Sequence, residues 1–151
     1  LIKGLKFDER LIIANFLADA LAASVTSHPD CLIALPLHPS RLRERGFNQS
    51  QLIAARIAHT LQLPLLASAS FRIRDTPPQS SLPWRERKRN MHKAFVLAPD
   101  LDVLDKHIAI VDDVMTTGAS IDALANLLKN AGAKEVSAWV VARTMPHRTS
   151  S

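Results

Sequence analysis

Apolar and polar positions follow two periods along this chain. Between Asp8 and Ala23, Ile12, Phe16 and Ala20 recur at four-residue spacing, with Ile13, Leu17 and Leu21 beside them. That is the period of a helix face, and Asp8 is the expected N-cap. Ser27-His28-Pro29-Asp30 breaks the pattern. Cys31 to Leu37 is then a short apolar run closed by proline, which suits a buried parallel strand, and a loop is expected from His38. Asn48, with Gln51 three residues on, predicts a second helix start. Its inner stripe is Ile53, Ile57 and Leu61, and Pro64 lies just past its end. Leu65 to Arg74 reads as a strand with Phe71 and Ile73 alternating with Arg72 and Arg74. Asp75 to Asn90 has no apolar period and holds Pro77, Pro78 and Pro83, so it is expected to be a long loop. Lys93 to Leu97 predicts a short strand. His107 to Val111 predicts a buried one ending at Asp112-Asp113. Ile121, Leu124, Leu127, Leu128 and Ala131 make a helix stripe closed by Gly132, and Val136 to Ala142 a last strand. Residues 144–151 read as a tail.

Strands alternating with helices predict an α/β fold, a mostly parallel sheet covered on both faces. In such sheets ligands bind beyond the carboxyl ends of the strands, which draws attention to the segments after His38 and after Asp112. The 151 residues amount to a single domain, with 47% hydrophobic and 22% charged residues, as in globular proteins. No apolar run reaches the roughly 18 residues of a membrane span, and no signal peptide is visible, so membrane insertion is not expected and a cytoplasmic location is. The lone Cys31 excludes an internal disulfide and suits a core position. The four glycines, Gly4, Gly46, Gly118 and Gly132, are too far apart for a dinucleotide fingerprint or a P-loop.

Charge changes the picture further. Residues 38–93 hold 11 of the 19 Lys and Arg but 3 of the 14 acids, a local net of +8 against −3 elsewhere. Nine of those cations are arginine, the side chain that grips phosphate bidentately. Two clusters stand out, Arg41/Arg43/Arg45 and Arg85/Arg87/Lys88/Arg89, both in segments that read as loops. A solvated basic face is the plain alternative to contact with phosphate or nucleic acid.

The most informative stretch is Ile110 to Ser120: a buried strand, two adjacent acids, then a Thr116-Thr117-Gly118 turn opening a helix. Backbone N–H groups and threonine hydroxyls at a helix N-terminus suit a phosphate, and glycine lets the backbone approach it. Two adjacent carboxylates would repel that phosphate, so they suit sugar hydroxyls or a developing cation. The acids could instead simply cap the helix. A Walker B strand lacks its P-loop here, and in response-regulator receivers the acid pair follows the first strand.

Val111 to Ser120 resembles the 5-phosphoribosyl-1-pyrophosphate (PRPP) signature of type I phosphoribosyltransferases. The likeness narrows with Pro36-Leu37-His38-Pro39, Arg41 to Gln49, and Arg74 to Ser80 followed by Arg87, Asn90 and Ala94-Phe95. These are similar to the ComF family of competence and DNA-utilisation proteins, which includes GntX; the resemblance covers about residues 30–145. It implies a type I phosphoribosyltransferase fold with a long flexible loop, Thr76 to Asn90, over the active site. It implies that Asp112 and Asp113 hold the ribose hydroxyls and are the catalytic pair. Thr116, Thr117, Gly118, Ala119 and Ser120 would cradle the 5′-phosphate, and Leu37, His38 and Arg41 would face pyrophosphate. A purely structural His38 is the alternative. Magnesium would be bound mainly by PRPP, assisted by the two acids. Arg45, Thr76, Gln79, Arg85, Arg87, Lys88 and Arg89 would serve the loop and a possible contact with DNA. Trp84 suits a base stack or a hydrophobic anchor, Trp139 the core. Family members usually begin with a four-cysteine zinc segment, which is expected upstream of Leu1. Two functions from different classes follow. One is transfer of a phosphoribosyl group with release of pyrophosphate. The other is a non-catalytic PRPP or nucleotide sensor that holds single-stranded DNA in an import machinery, alongside a helicase-like partner. A purely structural scaffold in such an assembly is a weaker third.

Overall fold

The computed structural model describes residues 2–73, 94–115 and 118–143. Four helices and five strands are assigned there: α1 (Ile2–Ser24), β1 (Cys31–Ala34), α2 (Pro39–Arg45), α3 (Gln49–Leu61), β2 (Ser70–Arg72), β3 (Phe95–Leu97), β4 (His107–Met115), α4 (Ala119–Asn130) and β5 (Glu135–Arg143). β1, β4 and β5 form a parallel sheet in the order β1-β4-β5, with Cys31 opposite Ile108 and Ile108 opposite Val136. β2 and β3 form a separate antiparallel pair.

Alternation along the strands divides the core in two. Cys31, Ile33, Ile108 and Ile110 pack with Leu124 and Leu128 of α4 and Phe95 of β3. Leu32, Ala34, Ala109, Val111 and Trp139 pack with α1 and α3. Period-two burial on both faces is why these strands read as unbroken apolar runs. The chain leaves β1 toward one face of the sheet and leaves β4 toward the other. The crevice between the carboxyl ends of β1 and β4 is therefore the point where the winding reverses, the usual place for a ligand.

Several expectations change. Helix α1 starts at Ile2, so Asp8 lies inside it rather than at its cap. Its buried stripe is Ala14, Ala18 and Ala22, while Ile12, Ile13 and Phe16 are exposed. Apolar residues surround most of this helix, and the alanine stripe allows the closer approach to α3. Arg56 of α3 grips Asp19 with two hydrogen bonds, of 3.0 and 3.2 Å, on the rim of that contact. The region from His38 is a short helix and not a loop; Gly46 ends it at φ +82°. β2 is shorter than Leu65–Arg74; Phe71 and Ile73 are exposed, while Ser70 is buried. β4 runs through the two acids to Met115 and does not stop at Val111. α4 ends one residue earlier than a Gly132 cap implies, with Ala131 as C-cap and Gly132 following at φ +112°. The long segment between β2 and β3 lies outside the described residues. Its two ends are held together by the strand pair and by the Ile73 N–H donating to the Ala94 carbonyl at 2.7 Å.

Candidate functional site

The site is built at the carboxyl end of β1. That strand's last paired step sets Ala34 against Val111, and the Leu35 N–H donates to the Val111 carbonyl at 2.9 Å. Asp112 is thus one step beyond the end of its neighbouring strand, still paired with Val140 of β5 on its other side. It is 8% exposed, one of three buried polar residues among those described. Its Oδ1 accepts from the Ser50 hydroxyl at 3.1 Å and from the Asp113 N–H at 2.8 Å. Burial, foremost, and the carboxylate of Asp113 push the Asp112 pKa up to about 6, against the lowering effect of its two donors. Asp113 is half-buried.

Ser50 lies in the first turn of α3, and the sequence alone gave no reason to single it out. Asn48 caps this helix: its Oδ1 accepts the Ser50 N–H at 3.0 Å, and its Nδ2 donates to the Leu35 carbonyl at 3.1 Å. One asparagine therefore joins the exit of β1 to the head of α3, and the head of α3 touches Asp112. The preceding Phe47 lies under the Arg10 guanidinium of α1, 5.7 Å from ring centre to carbon. Asn48→Ala removes a cap and leaves a carbonyl without its donor. It should cost about 1.5–3 kcal/mol in urea denaturation, with Asn48→Asp, which keeps the cap alone, in between. An alanine variant as stable as the wild type would contradict this role.

His38 is the N-cap of α2. Its Nδ1 accepts the Ser40 N–H at 3.1 Å and lies 2.8 Å from the Ser40 hydroxyl. With Nδ1 accepting, the neutral ring carries its proton on Nε2. Leu37 immediately precedes it, and Arg41 and Arg45 lie on the same helix, Arg45 exposed at its end. Gly118, at φ +77°, is the N-cap of α4 and contributes no side chain to that cap; Ala119 and Ser120 form the helix's first turn. Thr116 and Thr117 lie outside the described residues, as do Thr76, Gln79, Trp84, Arg85, Arg87, Lys88 and Arg89. The structure brings Asp112 to Ser50, and Val111 beside it to Leu35, whose carbonyl Asn48 holds; Asp113 lies on β4, and Gly118 is the N-cap of the helix that follows. Trp139 is in the core with Val111.

Among the described residues, no three His, Cys, Asp or Glu side chains group as a metal-ligand set. Two adjacent carboxylates are hard oxygen donors, able to add to a magnesium ion that takes its other ligands from phosphates and water. No helix among the described residues is long and apolar enough to cross a membrane.

Three comparisons with known proteins bear on this site. The phosphoribosyl transferase domain family matches residues 43–150. The chain is 39% identical over 153 aligned positions to "DNA utilization protein YhgH" of Salmonella typhi, covering 96% of this chain and 66% of that protein. It is 32% identical to "Competence protein F" of Haemophilus influenzae, covering 95% and 66%. These names bear out the resemblance to competence and DNA-utilisation proteins, and the chain spans just under two thirds of their length. Among solved structures, glutamine phosphoribosylpyrophosphate amidotransferase from B. subtilis superposes with a TM-score of 0.61 at 18% identity, over 89% of this chain and 27% of that one. That likeness establishes the type I phosphoribosyltransferase fold.

Proposed function

The chain belongs to the phosphoribosyl transferase domain family, and on that premise we propose that it binds PRPP at the crevice between β1 and β4 and transfers the phosphoribosyl group to a nitrogen nucleophile, releasing pyrophosphate. The observation that carries the reading is the buried, doubly donated Asp112 beside Asp113, just past the end of β1 and on the strand that precedes α4. As pyrophosphate leaves, carbon 1 of the ribose becomes cationic. Ionised acids holding the 2′- and 3′-hydroxyls favour that charge, while the 5′-phosphate is held by the turn through Ser120. Leu37, His38 and Arg41 serve the pyrophosphate side, with the His38 Nε2–H as a ring donor. Magnesium, supplied with PRPP and held mainly by its phosphates, would offset the charge of the leaving group, and Asp112 and Asp113 would assist in holding it. The segment from Thr76 to Asn90, tied at its roots by β2 and β3, is the candidate lid that excludes water. Residues 1–151 act as a single domain in this reading.

Titration with PRPP, with and without magnesium, tests the binding. Release of pyrophosphate over a panel of bases tests the transfer. Thr117→Ala removes a hydroxyl donor to a charged acceptor and should lower PRPP affinity by roughly 1.5–3 kcal/mol in calorimetry. Unchanged affinity in a folded variant would place the phosphate elsewhere.

A second reading shares this site. The names of the relatives and the surplus of +8 over residues 38–93 favour a role in DNA uptake or use. In it the basic segments hold single-stranded DNA, with or without catalysis, beside a helicase-like partner and inside the cell.

A further inference from the structure

Ser50 is 4% exposed, and in a buried setting a hydroxyl is retained where it has a partner. Its partner is Asp112, 62 residues away in sequence and on a different layer of the fold. We propose that Ser50, fixed by the Asn48 cap, is a positioning residue that sets the plane of the Asp112 carboxyl for the ribose; this deepens the PRPP reading and rests on it.

Three contacts make the argument. The Asn48 side chain fixes the first turn of α3 to the exit of β1 through Leu35 and through the Ser50 N–H. That turn presents the Ser50 hydroxyl to Oδ1 of Asp112. The same Oδ1 takes the Asp113 N–H, so two donors hold one oxygen and restrict the carboxyl's rotation about its own bond. A carboxylate so held loses little rotational freedom when a sugar hydroxyl arrives, and that is how preorganisation adds affinity. The head of α3 also offers the positive end of a helix to a buried anion. Asp113, half-buried, has its backbone committed to this arrangement through the same oxygen. Ser50 touches no substrate in this scheme and acts only through Asp112.

The test compares wild type, Ser50→Ala, Ser50→Thr, Asp112→Asn and the Ser50→Ala/Asp112→Asn double variant. PRPP is titrated with magnesium, and inorganic pyrophosphate is titrated as a probe that has no ribose. Freeing the Asp112 carboxyl to rotate should weaken PRPP by up to about tenfold in Ser50→Ala. Affinity for pyrophosphate should stay within about twofold, and Ser50→Thr, which keeps the hydroxyl, should recover most of the PRPP affinity. In the Asp112→Asn background, Ser50→Ala should cost less than about twofold, because the route through Asp112 is already broken. If Ser50→Ala loses cooperative melting, Ser50→Cys, with similar bulk and a weaker donor, takes its place and should fall between wild type and background. Equal losses for PRPP and pyrophosphate, or a full tenfold loss persisting without Asp112, overturn the positioning role while the PRPP reading stands. A wild type that binds pyrophosphate but not PRPP overturns that reading, and the positioning role with it.

Discussion

Replacing Asp112 and Asp113 together by asparagine is expected to raise the melting temperature above pH 6 and to weaken PRPP roughly 30- to 150-fold. The two effects have one source. Asp112 is buried beside a second carboxylate, and its folded pKa, about 6, stands above the ordinary value of 3.8. Between those two values the folded protein binds more protons than the unfolded chain, so stability falls as pH rises through that window. Above pH 6 the full cost applies, about 2–3 kcal/mol. Asparagine keeps an oxygen for Ser50 and removes the charge, so the variant should melt several degrees higher at pH 8 and about the same at pH 4, at roughly 2–4 °C per kcal/mol for a chain of this size. For the ligand the balance reverses. Hydrogen bonds to charged acceptors are worth about 1.5–3 kcal/mol and neutral ones about 0.5–1.5, so two such exchanges lose about 2–3 kcal/mol. Thermal melts from pH 4 to 8, paired with PRPP calorimetry, read both. A variant that melts lower at pH 8 and binds PRPP normally would make the pair structural.

The layers of this fold were legible because their signals are local. Cys31 to Ala34 of β1 and Ile108 to Val111 of β4 are buried on both faces, and a strand stretch in that position reads as an apolar run. Asn48 announced the start of α3 because a cap needs just its own side chain and the next turn. Other features depended on what lies across the molecule. The face of α1 could not be chosen from periodicity, since Leu11 to Ala18 is apolar at nearly every position; the near approach of α3 selects the small residues Ala14 and Ala18. β4 runs past the exit its sequence implies, since charged residues usually mark a strand's end. Here Asp112 continues the ladder to β5 and satisfies its buried carboxyl through Ser50. Ser50 itself carries no sequence signal. A serine in a helix's first turn is common, and only the folded chain brings Asp112 to it. The acid pair and Gly118 could be found in one contiguous stretch of sequence, whereas Ser50, which donates to Asp112, could not.

Changing Arg85, Arg87, Lys88 and Arg89 to alanine should flatten the salt dependence of single-stranded DNA binding by close to three units on a log–log plot. Each phosphate neutralised on a single strand contributes about 0.7 to that slope. Across a fourfold change in salt, the four contacts together are worth roughly 50-fold in affinity. The expectation follows from supply: a local surplus of +8 exceeds what one small ligand can use, and Arg43 and Arg45 on α2 are already exposed in the described structure. The loss should be alike for every DNA sequence, because phosphate contacts position a strand without reading it. PRPP should compete if the Thr76–Asn90 segment serves both ligands, since closure over pyrophosphate and contact with an extended polyanion draw on the same cations. The rival arrangement has those cations meet only pyrophosphate. Gel shifts across a salt series separate the two. A wild-type protein that fails to shift single-stranded DNA even at low salt would confine the basic surface to the small-molecule site.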